Sequence, residues 1–417
     1  MKSKDRLKKI KMNLENSLYK VELNSFQKQI TVPSSKSYSN RALILGALRG
    51  NDFLVSNLST STDVENLLAA FENLGLILER DKDSVKFKNS FPKCEKKSAL
   101  PIKLKTGDGG TTNRFLMALL ALGSNEYEIY PSEKMADRPI EDLIVPLREL
   151  GVSIESGTNT CWMKIKGPIT TSKNELKVDC QKSTQFASAL KLVLNSHPIK
   201  INLENVKSSS AYLQMTDEVI AKANLNNYFV VPVDFSSVSY PLALASLLGE
   251  VTILNCHGID KFQADSAFIQ ILESIGSDIS FTPNGLHVSS KSGLKPFKVD
   301  GSKFPDLVMT LAFVASYLNG VSEINNLEIL KYKESDRLSG IMKILNEFEI
   351  EYSFDNIQHS LKIFGSTKIS PNKTIVTDRD HRMVMMSYLF LRKNSGGLLA
   401  NTDCIAKSFP EFLNVMK

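Results

Sequence analysis

Hydroxyls, cations and carboxylates gather at six places along this chain, and each place opens an apolar, helix-like run. Lys36-Ser37, Gly110-Thr111, Ser183-Thr184, Ser236-Ser237, Asp306 and His381-Arg382 mark them. Pro33-Ser34-Ser35-Lys36-Ser37-Tyr38-Ser39-Asn40-Arg41 sets hydroxyls and two cations around one helix start. That is the chemistry of an anion site, although a Ser-rich N-cap with solvated cations is the other reading of this segment alone. Thr106-Gly107-Asp108-Gly109-Gly110-Thr111-Thr112-Asn113-Arg114 is glycine-rich, so its amides can approach an anion closely, yet it lacks the GxxxxGK[ST] spacing of a nucleotide P-loop. Taken by itself it is equally a plain turn and cap.

Arg138 precedes Pro139, a residue suited to the first position of a helix. Ser183, Thr184, Gln185, Ser209 and Tyr212 offer neutral donors for phosphate or hydroxyl groups, or simply helix caps. In Lys333-Glu334-Ser335-Asp336-Arg337, a helix opening at Lys333 puts Lys333 and Arg337 at i and i+4 on one face, with Glu334 beside it. A solvated charged turn is the alternative. Asp380-His381-Arg382 and Lys407 add cations at further starts, bringing the set to Lys36, Arg41, Arg138, Lys333, Arg337, Arg382 and Lys407.

The elements that must hold these groups repeat. Landmarks at Lys36, Thr111 and Ser183, then at Ser236, Asp306 and His381, are separated by 75, 72, 70 and 75 residues within the two triplets. A recurring unit of that length dictates the architecture. Its first helix, apolar on nearly all faces and therefore buried, is expected at Ser39–Leu48, Thr112–Leu122, Ser239–Leu248 and Asp306–Leu318. A strand follows each, at 53–55, 127–130, 251–254 and 322–324. A second, amphipathic helix ends in glycine at Gly75, Gly151 and Gly276, whereas the fifth unit has Phe348-Glu349 there and a weaker stop. The unit reads strand, helix, strand, helix, strand, strand, which predicts mixed α/β layers in two groups of three.

A buried helix directs its first N–H groups and its positive dipole end at whatever lies before it, so several such starts facing one cleft trap anions. Composition argues against a polyanion binder. The net charge of the 417 residues is +6, but residues 1 to 11 alone carry +5, leaving +1 for the rest. A basic tail is not the stripe of a nucleic-acid binder. No apolar run approaches the roughly 18 residues of a membrane span, and no secretory signal follows the tail. Five cysteines without a CxxC pair, and five histidines without HxxxH or HExxH, predict a reducing, cytoplasmic setting with no sequence-local metal site.

Together these segments resemble the 5-enolpyruvylshikimate-3-phosphate synthase (3-phosphoshikimate 1-carboxyvinyltransferase) family. KSYSNRA, GDGGTTNR, DRPIEDL, STQF, SSAY, DFSSVSY, FPD, KESDR, DHRM and CIAKSFPEF occur in family order over residues 33 to 417. The resemblance implies an inverse α/β barrel in two domains, each of three βαβαββ units, divided as 34–232 and as 1–33 plus 233–417, with the active site in the cleft between them. It implies transfer of the enolpyruvyl group of phosphoenolpyruvate to the 5-hydroxyl of shikimate 3-phosphate, with release of phosphate, by a monomer without cofactor or metal.

By motif position the resemblance assigns phosphoenolpyruvate to Lys36, Gly110, Arg138, Gln185, Arg337, Arg382 and Lys407. It assigns shikimate 3-phosphate to Lys36, Ser37, Arg41, Ser183, Thr184, Gln185, Ser209, Tyr212, Asp306 and Lys333. Asp306 is implied as the base, Glu334 as the proton donor, and Lys36, Lys407 and His381 as further catalytic groups. Two positions depart from the pattern: Asp108 stands where the family commonly has Asn, and Ile329 where a substrate-binding Asn is frequent. The rivals are UDP-N-acetylglucosamine enolpyruvyl transferase, whose cysteine-bearing loop has no convincing counterpart around Cys94, and an anion-binding homologue without activity.

Overall fold

The computed structural model describes residues 18–158, 161–206 and 210–417. These fall into two compact units, one of residues 33–234 with 260–264 and the other of residues 18–32, 235–259 and 265–417.

Within the first unit, the Lys36–Arg49, Gly110–Leu120, Gln185–Val193 and Ser210–Leu225 helices pack on one another. Ten consecutive residues of the first, Tyr38 to Ala47, are buried. Its polar members bond internally: Asn40 Nδ2 donates to the Lys36 carbonyl at 2.9 Å, and Ser39 Oγ accepts from Ser59 N at 3.1 Å. Buried polar groups need such partners, which is why a helix holding Ser39, Asn40 and Arg41 can occupy a core.

Sheets surround these helices in a recurring pattern. Ile102–Gly107 runs parallel to Glu126–Pro131, which pairs antiparallel with Met163–Lys166, itself antiparallel to Ser153–Ser156. The first sheet repeats this order but takes its opening strand, Tyr228–Val230, from the end of the unit, parallel to Phe53–Ser56. The third is a parallel pair, Glu175–Asp179 with Lys200–Glu204.

The second unit is built alike. Its central helices Phe235–Leu247, Val308–Ala315 and His381–Lys393 pack together, and all eight residues of Val308–Ala315 are buried. Gln27–Ile30 opens the sheet of Glu250–Ile253, Gly285–Ser289 and Asp278–Thr282. Tyr19–Val21 closes the sheet of Gly397–Leu399 and Lys373–Ile375, so the N-terminal segment belongs to this unit.

The expected α/β units are present, with local differences that have physical causes. The Gly-rich helix begins two residues early, at Gly110 after the N-cap Gly109, because Asn113 Nδ2 holds the Gly109 carbonyl at 2.8 Å. The helix expected from Asp306 begins at Val308, leaving Asp306 in the turn before it. Pro139 lies two residues ahead of the Glu141–Glu149 helix rather than inside its first turn. Gly75, Gly151 and Gly276 adopt φ of 88°, 86° and 94°, the left-handed stop, and Glu349 is forced to 56° where the fifth unit lacks a glycine. No helix among the described residues is long and apolar enough to cross a membrane.

Candidate active site

In each unit the starts of the buried helices lie together, and the side chains there bond across them. In the first unit, Thr112 Oγ1 donates to Asn40 Oδ1 at 3.0 Å, and Gln185 Nε2 donates to Thr111 Oγ1 at 3.0 Å. Three helix N-termini thus share one locality. Lys36 opens the first of them, beyond the Ser35 cap, and its Nζ lies 2.8 Å from Asp63 Oδ2. Asp63 is buried, so the pair is shielded from solvent on one side and fixes the lysine head.

Gly110 is required by a close approach rather than by its torsion. A Cβ there would come within 2.5 Å of the Arg138 guanidinium, which occupies the space beside Gly110. Arg114, buried behind it, donates from one Nη to Gln185 Oε1 and from the other to the Pro139 carbonyl, both at 2.6 Å. Its guanidinium also sits over the Phe186 ring at 4.8 Å. Arg114 therefore ties the second and third helix starts to the segment carrying Arg138.

Arg41 is buried, and its bonds are to neutral groups: Thr216 Oγ1 at 2.8 Å, the Ser37 carbonyl at 2.9 Å, the Tyr212 carbonyl at 3.1 Å and Ser188 Oγ at 3.4 Å. Burial pulls its pKa down to about 10. Tyr212 lies with its ring 5.8 Å from the same guanidinium, and Ser37 is half-buried above. Ser183 Oγ accepts from Gln185 N at 3.2 Å, and Thr184 is the N-cap position of that helix. Ser209 lies outside the described residues.

In the second unit, three carboxylates surround one arginine. Arg337 is 1% exposed; its Nε bonds Asp380 Oδ2 at 2.9 Å, one Nη bonds Asp306 Oδ1 at 2.7 Å, and the other bonds Glu334 Oε2 at 2.6 Å. Arg382 reaches Asp306 Oδ2 at 3.1 Å, and Lys407 Nζ lies 3.6 Å from Glu334 Oε1. Burial raises the Asp306 pKa, but Arg382, Lys333 and Arg337 outweigh it and hold the carboxyl well below the usual range. Burial works against the Arg337 cation too, and Asp380, Glu334 and Asp306 outweigh it, keeping the guanidinium protonated.

Asp380 caps the His381–Lys393 helix, accepting from Arg382 N at 2.9 Å, and also accepts from Ser335 Oγ at 3.1 Å. One fully buried carboxylate thus fixes Arg337, the helix start and the KESDR segment. His381 follows it, buried, with Nδ1 3.7 Å from Asp380 Oδ1. Tyr240 is buried with its hydroxyl beside Arg382, and burial drives its pKa up to about 12.

One reading of KESDR is corrected. Lys333 and Arg337 do not share a helix face: Glu328–Tyr332 is a short 3-10 turn, Lys333 is extended, and the helix begins at Arg337. Asp336 is the cause, since its side chain accepts from Ser339 N at 3.1 Å and starts the helix one residue later. Glu334 consequently reaches Arg337 from the turn rather than along a helix. Asp108 and Ile329 are both half-buried, the first between a strand end and Gly109, the second in the 3-10 turn before Lys333.

Asp63, Arg114, Asp380 and Tyr240 join these groups although the sequence alone gives them no role. Arg114 ends GDGGTTNR, Asp380 opens DHRM and Tyr240 ends DFSSVSY, so each lies within a family-like motif. Asp63 had no local signal, because its partner lies 27 residues away.

The arrangement supplies two carboxylates that can move protons, cations to balance developing charge, and clustered helix starts for anions. The EPSP synthase (3-phosphoshikimate 1-carboxyvinyltransferase) model matches residues 22–226 and 218–416, nearly the whole chain. The chain belongs to that family. Among relatives named 3-phosphoshikimate 1-carboxyvinyltransferase, that of Vibrio campbellii is 30% identical over 95% of this chain and 97% of its own length. That of Methanosphaera stadtmanae is 28% identical, with the same coverage. EPSP synthase of Acinetobacter baumannii superposes with a TM-score of 0.76 at 21% identity, covering 95% of this chain and 96% of that one. The enolpyruvyl transferase NikO of Streptomyces tendae gives 0.70 at 12% identity, covering 96% of both chains. The fold is the two-domain enolpyruvyl transferase fold.

Proposed function

We propose that this chain transfers the enolpyruvyl group of phosphoenolpyruvate to the 5-hydroxyl of shikimate 3-phosphate, releasing phosphate, as the family's enzymes of aromatic amino-acid biosynthesis do. The observation that carries the mechanism is that Asp306 and Glu334 are both held on Arg337, 2.7 and 2.6 Å from its two Nη atoms. Two carboxylates fixed by one buried cation keep a constant separation, as a base and an acid acting on one substrate pair must.

Asp306 takes the proton of the attacking hydroxyl as oxygen adds to C2 of the enol. Glu334 delivers a proton to the methylene carbon, giving a tetrahedral intermediate. In the elimination Glu334 takes a proton back from the methyl carbon, the double bond reforms, the C–O bond to phosphate breaks and Asp306 gives its proton to the departing phosphate. Lys36, Arg138, Gln185, Arg337, Arg382, Lys407 and the Gly110 amide hold phosphoenolpyruvate and stabilise its charge. Lys36, Ser37, Arg41, Ser183, Thr184, Gln185, Ser209, Tyr212, Asp306 and Lys333 hold shikimate 3-phosphate, and His381 supports the Arg382 helix start.

Asp306 held as a low-pKa carboxylate is a weak base while Arg337 and Arg382 grip it. Phosphate and carboxylate groups of the substrates compete for the same guanidinium groups, so their arrival loosens that grip and raises its basicity. Binding and base strength are thereby linked.

The two domains are proposed to run over residues 34–232 and over 1–33 plus 233–417. Five free thiols support a cytoplasmic setting, and the chain is proposed to act as a monomer. The test is the product: incubation with both substrates yields a species heavier than shikimate 3-phosphate by one enolpyruvyl group in the mass spectrum. Recovery of both substrates unchanged overturns the proposal.

A further inference from the structure

A cavity lies in the unit containing residues 265–417, with a volume of about 330 Å³. It runs between the Arg337–Glu347 helix and the Lys373–Ile375 strand, and none of Asp306, Glu334, Arg382 and Lys407 lines it. Its floor is apolar and buried, formed by Ile344, Ile375 and Met383. Val376 at its edge is 45% exposed, an apolar side chain that the fold leaves in water.

The remaining wall is charged. Lys343 and Glu347 stand one turn apart on the helix, and Asp378 follows the strand. All three are exposed, and none takes part in an ion pair among the described residues. The order Lys then Glu at i, i+4 is the weaker orientation for mutual pairing, consistent with both ends staying available. Cation, anions and apolar floor within one cavity of this size complement a small molecule bearing a carboxylate, an ammonium group and an apolar side chain.

Ser335 links this cavity to the catalytic cluster. It lines the cavity and donates to Asp380 Oδ2 at 3.1 Å, the carboxylate that fixes Arg337. We infer that the cavity is a regulatory site for a free apolar amino acid, its carboxylate on Lys343, its ammonium group toward Glu347 and Asp378, and its side chain on the Ile344–Ile375–Met383 floor. Occupancy draws Ser335 away from Asp380 and lowers turnover. Only this kinetic part rests on the function proposed above; binding does not.

Calorimetric titration of the full chain tests it, with L-phenylalanine and L-leucine as probes. Saturable binding at one site per chain is expected, with Kd near or below about 1 mM. Phenethylamine and 3-phenylpropionate, each with one charge, bind at least tenfold more weakly. Lys343→Glu reverses the carboxylate's partner, and Thr374→Trp fills the cavity from the exposed strand; each weakens L-phenylalanine at least tenfold while circular dichroism stays unchanged. Saturating L-phenylalanine lowers kcat at least twofold in the native chain and not in Lys343→Glu. Absence of binding, equal affinity for the singly charged analogues, or unchanged affinity in both variants overturns the site. Binding with unchanged kcat overturns the coupling through Ser335.

Discussion

Arg337 Nε donates to Asp380 Oδ2 at 2.9 Å, and neither side chain is more than 1% exposed. This pair joins two segments 43 residues apart, and the arginine's remaining nitrogens carry Asp306 and Glu334. Removing Asp380 leaves the buried Arg337 Nε without its acceptor, at a cost of about 1–3 kcal/mol, while Asp306 and Glu334 still balance the guanidinium charge. Asp380→Ala also removes the helix cap. Urea denaturation of this variant is expected to show a loss of at least about 2 kcal/mol, from the orphaned donor and the lost cap together. A loss below about 1 kcal/mol, the range of an exposed pair, contradicts the role given to Asp380.

Glu349 occupies a helix stop that three sister helices give to glycine. Its φ of 56° carries the left-handed penalty of roughly 1–2 kcal/mol, while glycine adds about 0.4–1 kcal/mol of freedom to the unfolded chain. Its ion pair with Lys373, at 3.9 Å and with Glu349 itself exposed, contributes little. Glu349→Gly is therefore expected to stabilise the protein by about 0.5–1 kcal/mol, read as a higher urea midpoint at constant m-value. A lower midpoint contradicts the cap reading.

Why these features differ in legibility follows from where their causes lie. The stops at Gly75, Gly151 and Gly276 and the buried Lys36–Arg49 helix are written in adjacent residues, so periodicity and local composition reveal them. The opening strand of the first sheet, Tyr228–Val230, pairs with a strand about 170 residues earlier, which no local pattern announces. Lys36, Arg382 and Lys407 were legible because cations at helix starts are conspicuous. Asp63 and Asp380 were not, since a carboxylate buried by a distant partner looks in sequence like any surface acid. The shifted start at Arg337 turned on one competing cap, Asp336, against a charge pattern that fitted either register.

Asp306 makes stability depend on pH in a definite direction. Its folded pKa lies below that of an unfolded aspartate, about 3.9, so at low pH the unfolded chain binds more protons. The stabilisation is complete above the unfolded value and is lost as pH falls toward the folded one. Between about pH 5.5 and 3.5 the native chain should lose stability more steeply than Asp306→Asn, compared by urea midpoints. Parallel slopes in the two proteins count against the low folded pKa.

Glu334→Gln keeps the shape of the side chain and removes its ability to exchange a proton. Arg337 and Lys407 retain their positions near it, so binding of shikimate 3-phosphate should remain measurable by calorimetry. Turnover should fall by at least about 100-fold, the lower range for a general acid or base. A variant retaining a tenth of native kcat refutes proton delivery by Glu334.

Release of inorganic phosphate from phosphoenolpyruvate, followed separately with shikimate 3-phosphate and with UDP-N-acetylglucosamine as acceptor, tests the assignment most directly. Steady release with shikimate 3-phosphate alone is the expected result. Release only with the UDP-sugar, or with neither acceptor, contradicts it.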